Sequence, residues 1–192
     1  MKNLQLVIAL FSTIVVIAQQ HPGDLDPSFA PEEIQYINNY AIAVKSDQKI
    51  LVGRSTYYNS IPAVVCLNPD GSVDPSFNAW NGIASAHNIV IQPDGKIIVL
   101  GDIGQYGSIT RLNADGSRDL DFNVGTNSPM SYPITNVVIQ DDGKIVVSGS
   151  FTTFSGVARN NIARLNPNGT LDTVFAPVSG LPNYAYSVYN IF

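Results

Sequence analysis

The sequence predicts an all-β protein built from repeated four-stranded antiparallel sheets. A motif of the form Gly-x-x-Asp-x-x-Phe recurs four times, and its copies start 48, 45 and 53 residues apart. β-Branched runs flank short sequences typical of tight turns. No window of eleven or more residues after the amino-terminal segment carries an apolar stripe at helical spacing. The four copies lie at residues 23–29, 71–77, 116–122 and 169–175.

The first two strands of each unit form a predicted hairpin. In the second unit, β-branched segments flank Pro93, Asp94 and Gly95. Proline fixes φ and glycine tolerates a positive φ, so this sequence favours a tight turn. In the first unit Gln48 takes the place of the turn glycine, which weakens the prediction there. The Asp-x-Lys-Ile pattern of these turns recurs at 47–50, 94–97 and 142–145.

A third strand and a short fourth strand complete each unit. The third strand ends at Leu67, Leu112 or Leu165, and a turn of the Asn-Pro-Asp-Gly kind leads to a fourth strand that ends at the motif phenylalanine. Four-stranded units of this length, repeated along a chain, are typical of β-propeller blades. A closed propeller has about four to eight blades, so we expect further repeats or self-assembly to complete the core. The predicted partial propeller has three to four blades, at about 23–70, 71–115, 116–168 and an incomplete 169–192.

The order of these motifs resembles the bacterial delta-60 repeat. It runs from Gln-Pro-Asp-Gly-Lys-Ile through a strand and a variable loop to Arg-Leu-Asn-x-Asp-Gly-Ser-x-Asp-x-x-Phe, and the resemblance covers residues 23–192. It implies a β-propeller-like fold in an exported protein, and it supplies no catalytic residue. Cys66 departs from the pattern where later copies have Arg111 and Arg164.

The amino-terminal segment, residues 1–18, is predicted to be a secretory signal peptide. Lys2 precedes a mostly apolar run that ends at Ala18 and is shorter than the roughly 20 residues that a membrane-spanning helix needs. The small side chain of Ala18 favours cleavage before Gln19. We therefore expect a secreted or cell-surface chain of residues 19–192, with no transmembrane segment after cleavage. A retained membrane anchor is the alternative.

Composition and charge exclude several classes of function. The chain has 10 Lys and Arg against 15 Asp and Glu, a net charge of −5, and such a surface does not favour nucleic acid. One cysteine and two histidines do not make a multi-thiolate zinc site or a metallohydrolase motif. We expect no cofactor, no metal and no catalytic residue. His87 is a base in principle, but no Gly-x-Ser-x-Gly elbow, phosphate loop or separated pair of glutamates accompanies it.

The turn aspartates allow two interpretations. Asn68, Asp70 and Asp74, with their counterparts in the next repeat, partly resemble a calcium loop, in which oxygen ligands alternate along the chain. In that register the first ligand would be Cys66 and the closing glutamate would be Phe77, and neither side chain suits calcium. We therefore predict that these aspartates hydrogen-bond the backbone of their own turns.

Loop lengths vary on only one side of the predicted sheets. In a meander, the connections between strands two and three share one rim with those between units, and all the length variation falls there. These loops are rich in aromatic residues, so we predict recognition of a glycan or a partner protein on this rim. The alternative is that the loop aromatics pack over the blade junctions. The candidate recognition residues are Tyr57, Tyr58, Trp80, Tyr106, Tyr132, Phe154 and Arg159.

The function predicted from the sequence is an exported, non-enzymatic repeat scaffold or interaction module that forms part of a longer propeller. The competing interpretation is an extracellular carbohydrate-binding or carbohydrate-processing propeller. Fold alone does not decide between the two.

Overall fold

The architecture is all-β. The computed structural model describes residues 6–11, 13–18, 39–55, 62–104, 108–125 and 134–177. Within these ranges the regular elements are strands, and their pairings are antiparallel. No helix in the described part of the chain is long and apolar enough to cross a membrane. The predicted fold class is confirmed.

A hairpin occupies the amino-terminal segment. Strands β1 (Leu6–Phe11) and β2 (Thr13–Ala18) pair with Leu6 opposite Ala18. Their many Val and Ile residues favour extended backbone. This is the segment predicted to be a signal peptide, and its removal on export stays a prediction.

Three sheets follow, each with three strands in meander order. The turns between first and second strands are tight because Gln48, Gly95 and Gly143 adopt positive φ angles of 69°, 84° and 78°. The first hairpin therefore forms even though glutamine replaces glycine. Blade 1 contains β3 (Asn39–Val44), β4 (Ile50–Arg54) and β5 (Val64–Leu67); blade 2 contains β6 (Ser85–Ile91), β7 (Ile97–Asp102) and β8 (Ile109–Leu112); blade 3 contains β9 (Ile134–Ile139), β10 (Ile145–Gly149), a small hairpin of β11 (Thr153–Phe154) and β12 (Val157–Ala158), and β13 (Ile162–Leu165).

The predicted fourth strand is reduced to a single bridge in each blade. The bridge pairs Leu67 with Val73 in blade 1, and the other two blades have equivalent bridges. The strand stops there because the Asp74 carboxylate accepts the Ser76 amide at 2.9 Å and turns the chain away. Each blade is thus a three-stranded meander with a one-residue outer edge.

Neighbouring blades bury their faces against each other. Strand β6 lies against β3 and β4, and β9 lies against β6 and β7, so the first strands of the three blades follow one another along one side of the array. The first junction buries residues such as Leu51 and Ile97, and the second buries Ile98 and Val147. Central strands such as β4 are buried along their whole length, which explains their continuous apolar sequences.

The meander gives each blade two distinct ends. The tight turns after the first and third strands share one end, which we call the turn rim. The longer loops after the second strand, and the entry into the next blade's first strand, share the other end, which we call the loop rim.

Candidate functional site

Each blade has one buried aspartate near the turn rim that receives a lysine from the first turn. An arginine of the third strand joins the pair in blades 2 and 3, with Arg111 Nε 2.7 Å from Asp119 Oδ2 and Arg164 Nε 2.9 Å from Asp172 Oδ2. These residues are the charged positions of the repeat motif, and they tie three parts of one blade together. The Lys Nζ to Asp Oδ2 distances are 2.8 Å for Lys49–Asp74, 2.8 Å for Lys96–Asp119 and 3.0 Å for Lys144–Asp172.

These contacts favour the ionised form of the aspartates. The lysine hydrogen bond, supported by two hydrogen bonds from Ser76, holds the pKa of Asp74 well below its ordinary value. The lysine hydrogen bond likewise lowers the pKa of Asp172 to about 2. Burial acts to raise the pKa of Asp119, but the hydrogen bonds from its lysine and arginine outweigh burial and lower that pKa.

The turn aspartates also bond their own backbone. Asp70 Oδ1 accepts the Ser72 amide at 3.0 Å, and Asp74 Oδ1 accepts the Ser76 amide at 2.9 Å. Blade 2 repeats both contacts, and blade 3 repeats them with Asn168 in place of the first aspartate. The prediction that these side chains serve their own turns is confirmed. Among the described residues, no group of three or more His, Cys, Asp and Glu is placed to hold a metal ion.

The motif phenylalanine joins one blade to the next. Phe122 packs against Gly169 in a turn of blade 3, where an added Cβ atom would lie 2.9 Å from the ring. Gly169 also has a φ of 89°, so this position favours glycine for its backbone and for the ring contact. Phe77 makes the same contact with Gly116 of blade 2. The motif phenylalanine is therefore a contact between blades.

The motif arginine serves the same junction. The Arg111 guanidinium carbon lies 4.7 Å from the centroid of the Phe122 ring, and its Nη1 donates to the Pro167 carbonyl of blade 3 at 2.5 Å. The Asn123 amide donates to the Asn168 carbonyl at 2.9 Å across the same junction. The arginine thus bonds both its own blade and the backbone of the next one.

Cys66 takes the position of this arginine in blade 1. Its side chain is 1% exposed and belongs to the first junction, beside residues such as Val64 and Leu112. Burial raises the pKa of the Cys66 thiol. The thiol therefore acts as a small apolar group in the core.

Of the predicted recognition residues, the structure describes Trp80, Phe154 and Arg159, and it does not bring these three into one surface. Trp80 is half-buried at the turn rim, because its backbone N–H donates to the Gly116 carbonyl at 3.1 Å. The Arg118 guanidinium carbon lies 4.8 Å from the centroid of its ring. The sequence predicts Trp80 on the loop rim. Because the fourth strand is one residue long, the chain does not reach that rim there and instead passes the turn of the next blade at the turn rim. Tyr57, Tyr58, Tyr106 and Tyr132 lie outside the described residues, and their recognition role stays a prediction.

Phe154 and Arg159 are buried in blade 3. The Phe154 ring is fully buried and contacts Phe151 edge-on, with 5.8 Å between the ring centroids. Arg159 is 8% exposed and donates to the backbone carbonyls of Ala158 and Thr173 at 2.8 and 3.4 Å. Both side chains build the loop that carries them rather than a solvent-facing surface.

A β-bulge recurs at one position of the first strand in every blade. The extra residue is Tyr40 in β3, His87 in β6 and Thr135 in β9, and we call these three positions the bulge row. A bulge re-aims the extra side chain and often lies beside a functional site. The repeat motifs gave no sign of it. Gly101 and Gly149 lie opposite the bulge in blades 2 and 3, and an added Cβ atom at Gly101 would overlap the Ser85 carbonyl oxygen.

Two bulge residues whose side chains the structure describes, His87 and Thr135, lie near the loop rim. His87 and Thr135 are exposed, and Asn88 and Asn136 beside them are half-buried. The His87 Nε2 atom lies 3.0 Å from the hydroxyl oxygen of buried Ser85, which fixes the orientation of the imidazole. The Thr135 hydroxyl donates to the Ser148 carbonyl at 3.3 Å and accepts a hydrogen bond from Asn136 Nδ2 at 3.4 Å, so these polar groups are bonded within their own blade.

A family profile describes the same repeats. The profile of DUF5122, a domain of unknown function described as a β-propeller, matches residues 45–77, 92–122 and 140–175, which together make up more than half of the chain. The chain belongs to the DUF5122 β-propeller family. Each match runs from the first turn of a blade to its motif phenylalanine. The three bulge residues of this DUF5122 chain lie outside the matched segments.

Solved structures resemble the DUF5122 chain in fold. A protein assigned as a gluconolactonase is 17% identical with a TM-score of 0.50, and the match covers 81% of this chain and 54% of that one. Virginiamycin B lyase from Staphylococcus aureus is 17% identical with a TM-score of 0.45, over 69% of this chain and 39% of that one. The chain thus spans about half the length of these structures or less. No curated protein sequence matches it.

Proposed function

We propose that this chain is part of an exported, non-enzymatic β-propeller that serves as a scaffold or interaction module, as its delta-60 resemblance implies. One observation carries the proposal: the charged residues that recur in every repeat pair with one another inside the blades. Asp119, for example, is 5% exposed and is held by both a lysine and an arginine. Because the recurring charged groups bond one another inside the blades, they support a structural role for the repeats.

The amino-terminal segment supports export. Lys2 ahead of an apolar run that ends at Ala18 has the charge and length of a secretory signal. We expect the full chain, expressed in a bacterial host with a carboxy-terminal tag, to leave the cytoplasm and to begin at Gln19 on amino-terminal sequencing. The control variant Ile8→Arg places a charge in the apolar run and should stay uncleaved in the cytoplasm. Recovery of the unaltered chain from the cytoplasm with Met1 intact would contradict export.

The non-enzymatic role has a separate test. Ser85 and His87 form a serine–histidine pair at 3.0 Å, so hydrolysis is the activity to examine. We expect the full chain and its Ser85→Ala variant to hydrolyse p-nitrophenyl acetate at the same background rate. Turnover that disappears in the Ser85→Ala variant would make the chain an esterase and overturn the proposal.

A second candidate function is extracellular carbohydrate binding. The exposed bulge residues His87 and Thr135 are the observation that favours it, because imidazole and hydroxyl groups hydrogen-bond sugar hydroxyls.

A further inference from the structure

We propose that the Asn81–Gly82 dipeptide is a site of spontaneous covalent modification, at which Asn81 loses ammonia and becomes aspartate or isoaspartate. Asparagine is most prone to this reaction before glycine, because glycine has no side chain to shield its amide nitrogen. The sequence has two such dipeptides, Asn81–Gly82 and Asn168–Gly169. Their surroundings differ, and the difference favours Asn81. The inference goes beyond the proposed function and does not depend on it.

The reaction uses the backbone amide of the glycine as its nucleophile. The Gly82 nitrogen loses its proton to hydroxide and attacks the Asn81 Cγ atom, so that a new N–Cγ bond forms. The Cγ–Nδ2 bond breaks, and ammonia leaves with a proton taken from water. Water then opens the cyclic imide at either carbonyl. The products are aspartate, which restores the original peptide link, and isoaspartate, in which the chain continues through Cγ.

At Asn168–Gly169 both reacting groups are held in a turn. The Gly169 amide donates to the Asn166 carbonyl at 2.8 Å, and Asn168 Oδ1 accepts the Thr170 amide at 3.1 Å and the Thr170 hydroxyl at 2.7 Å. Attack on Cγ would break these bonds, so the turn protects Asn168. Equivalent amide and side-chain bonds hold the Asp–Gly turns at 70–71, 94–95, 115–116 and 142–143.

Asn81–Gly82 lies outside these turns, on the link that runs from the turn rim to β6. The Asn81 side chain is exposed. Neither Asn81 nor the Gly82 amide forms a hydrogen bond with another described residue. Gly82 also lacks the positive φ of the turn glycines. The amide nitrogen, the Cγ atom and water can therefore meet without the loss of a hydrogen bond among the described residues.

Trp80 gives the reaction an optical signal. Its ring packs over Gly82, where an added Cβ atom would overlap the ring, and the Arg118 guanidinium carbon lies 4.8 Å from the centroid of a Trp80 ring. Isoaspartate adds one carbon to the backbone under this ring and places a carboxylate beside it. Trp80 is the only tryptophan in the sequence, so its fluorescence should change as Asn81 reacts.

The test is peptide mapping by mass spectrometry after the full chain is held at pH 8 and 37 °C. We expect the Asn81 peptide to gain about 1 Da and to give two products, of which one is a substrate of isoaspartate methyltransferase. Asn168 should react at least tenfold more slowly in the folded chain but as fast as Asn81 in guanidinium chloride, where its turn is lost. The Asn81 rate should fall about tenfold at pH 7, because the deprotonated amide is the nucleophile.

Two variants form a matched pair. Asn81→Gln should abolish both the gain in mass at this peptide and the change in fluorescence during incubation. Asn168→Gln alters the other asparagine before glycine and should leave both as in the unaltered chain.

Three outcomes would overturn the proposal. Asn81 stays intact in the folded chain although it reacts in guanidinium chloride; Asn168 reacts as fast as Asn81 in the folded chain; or the fluorescence of the Asn81→Gln variant changes as much as that of the unaltered chain.

Discussion

Arg111 and Cys66 occupy the same position in two blades and show what that position contributes. The arginine bonds Asp119 and the Pro167 carbonyl of the next blade. The cysteine makes neither bond, and the lysine pairs with Asp74 in blade 1. Both junctions therefore keep the phenylalanine contact and the apolar packing, but only the junction after blade 2 adds the charged group of an arginine.

The Cys66 thiol should be unreactive in the folded chain. Burial excludes the reagent and raises the thiol pKa, and only the thiolate attacks disulfide reagents rapidly. We expect Ellman's reagent to release almost no chromophore from the native chain over minutes. In concentrated guanidinium chloride it should release one equivalent, because the sequence has a single cysteine. Full and rapid reaction of the native chain would contradict the burial of this side chain.

At the scale of elements, the tight turns have two structural roles. Those after the first strands close hairpins, whereas those after the third strands of blades 2 and 3 also receive the phenylalanine of the preceding blade. Gly143 and Gly169 represent the two kinds in blade 3. Both have positive φ angles, 78° and 89°, but only Gly169 lies against a ring, that of Phe122. A comparison of these two glycines therefore separates the effect of backbone strain from the effect of the contact between blades.

Gly169→Ala should therefore destabilise the chain more than Gly143→Ala. Each substitution places a Cβ on left-handed backbone, at a cost of about 1–2 kcal/mol. Gly169→Ala also forces its Cβ into the Phe122 ring, which adds about 1–3 kcal/mol. Urea unfolding followed by circular dichroism measures both values. Equal losses for the two variants would show that the ring contact contributes nothing.

The hairpins were predictable from sequence, whereas the bulges and the fourth strands were not. Asp94 and Gly95 specify their turn locally, so a short segment suffices. A bulge depends on how two strands pair, and side chains near His87 fit either register on sequence alone. The predicted fourth strand does not form in full, because the motif aspartate bends the backbone immediately after its bridge. Trp80 was placed on the wrong rim for the same reason, since a full fourth strand would have carried the chain to the loop rim.

At the scale of the whole molecule, acid sensitivity follows from the turn rim. An aspartate whose pKa is lower in the folded chain than in the unfolded chain stabilises the fold at any pH above its unfolded pKa. This stabilisation is lost as the pH falls through the folded pKa. For Asp172 the window runs from 3.8 down to about 2. Asp74 and Asp119 are shifted in the same direction. All three aspartates should therefore lose their stabilising contribution as the pH falls below the pKa of the unfolded chain.

Thermal unfolding against pH tests this expectation. We expect Tm to be steady near neutral pH and to fall as the pH drops from about 4 towards 2. Asp172→Asn should lower Tm at pH 7 and should flatten part of that fall. Asp141→Asn, which changes an exposed turn residue, should leave both unchanged. The interpretation would not survive identical pH profiles for the Asp172→Asn variant and the unaltered chain.

The contact between Phe122 and Gly169 bears on how such chains change length. Every described repeat carries both halves of the junction: a ring for the blade that follows and a glycine turn for the blade that precedes. Duplication or loss of one whole repeat therefore leaves each new neighbour with a matching counterpart. The number of blades can drift through gene duplication without the invention of a new interface, while the residues of the first strands diversify independently.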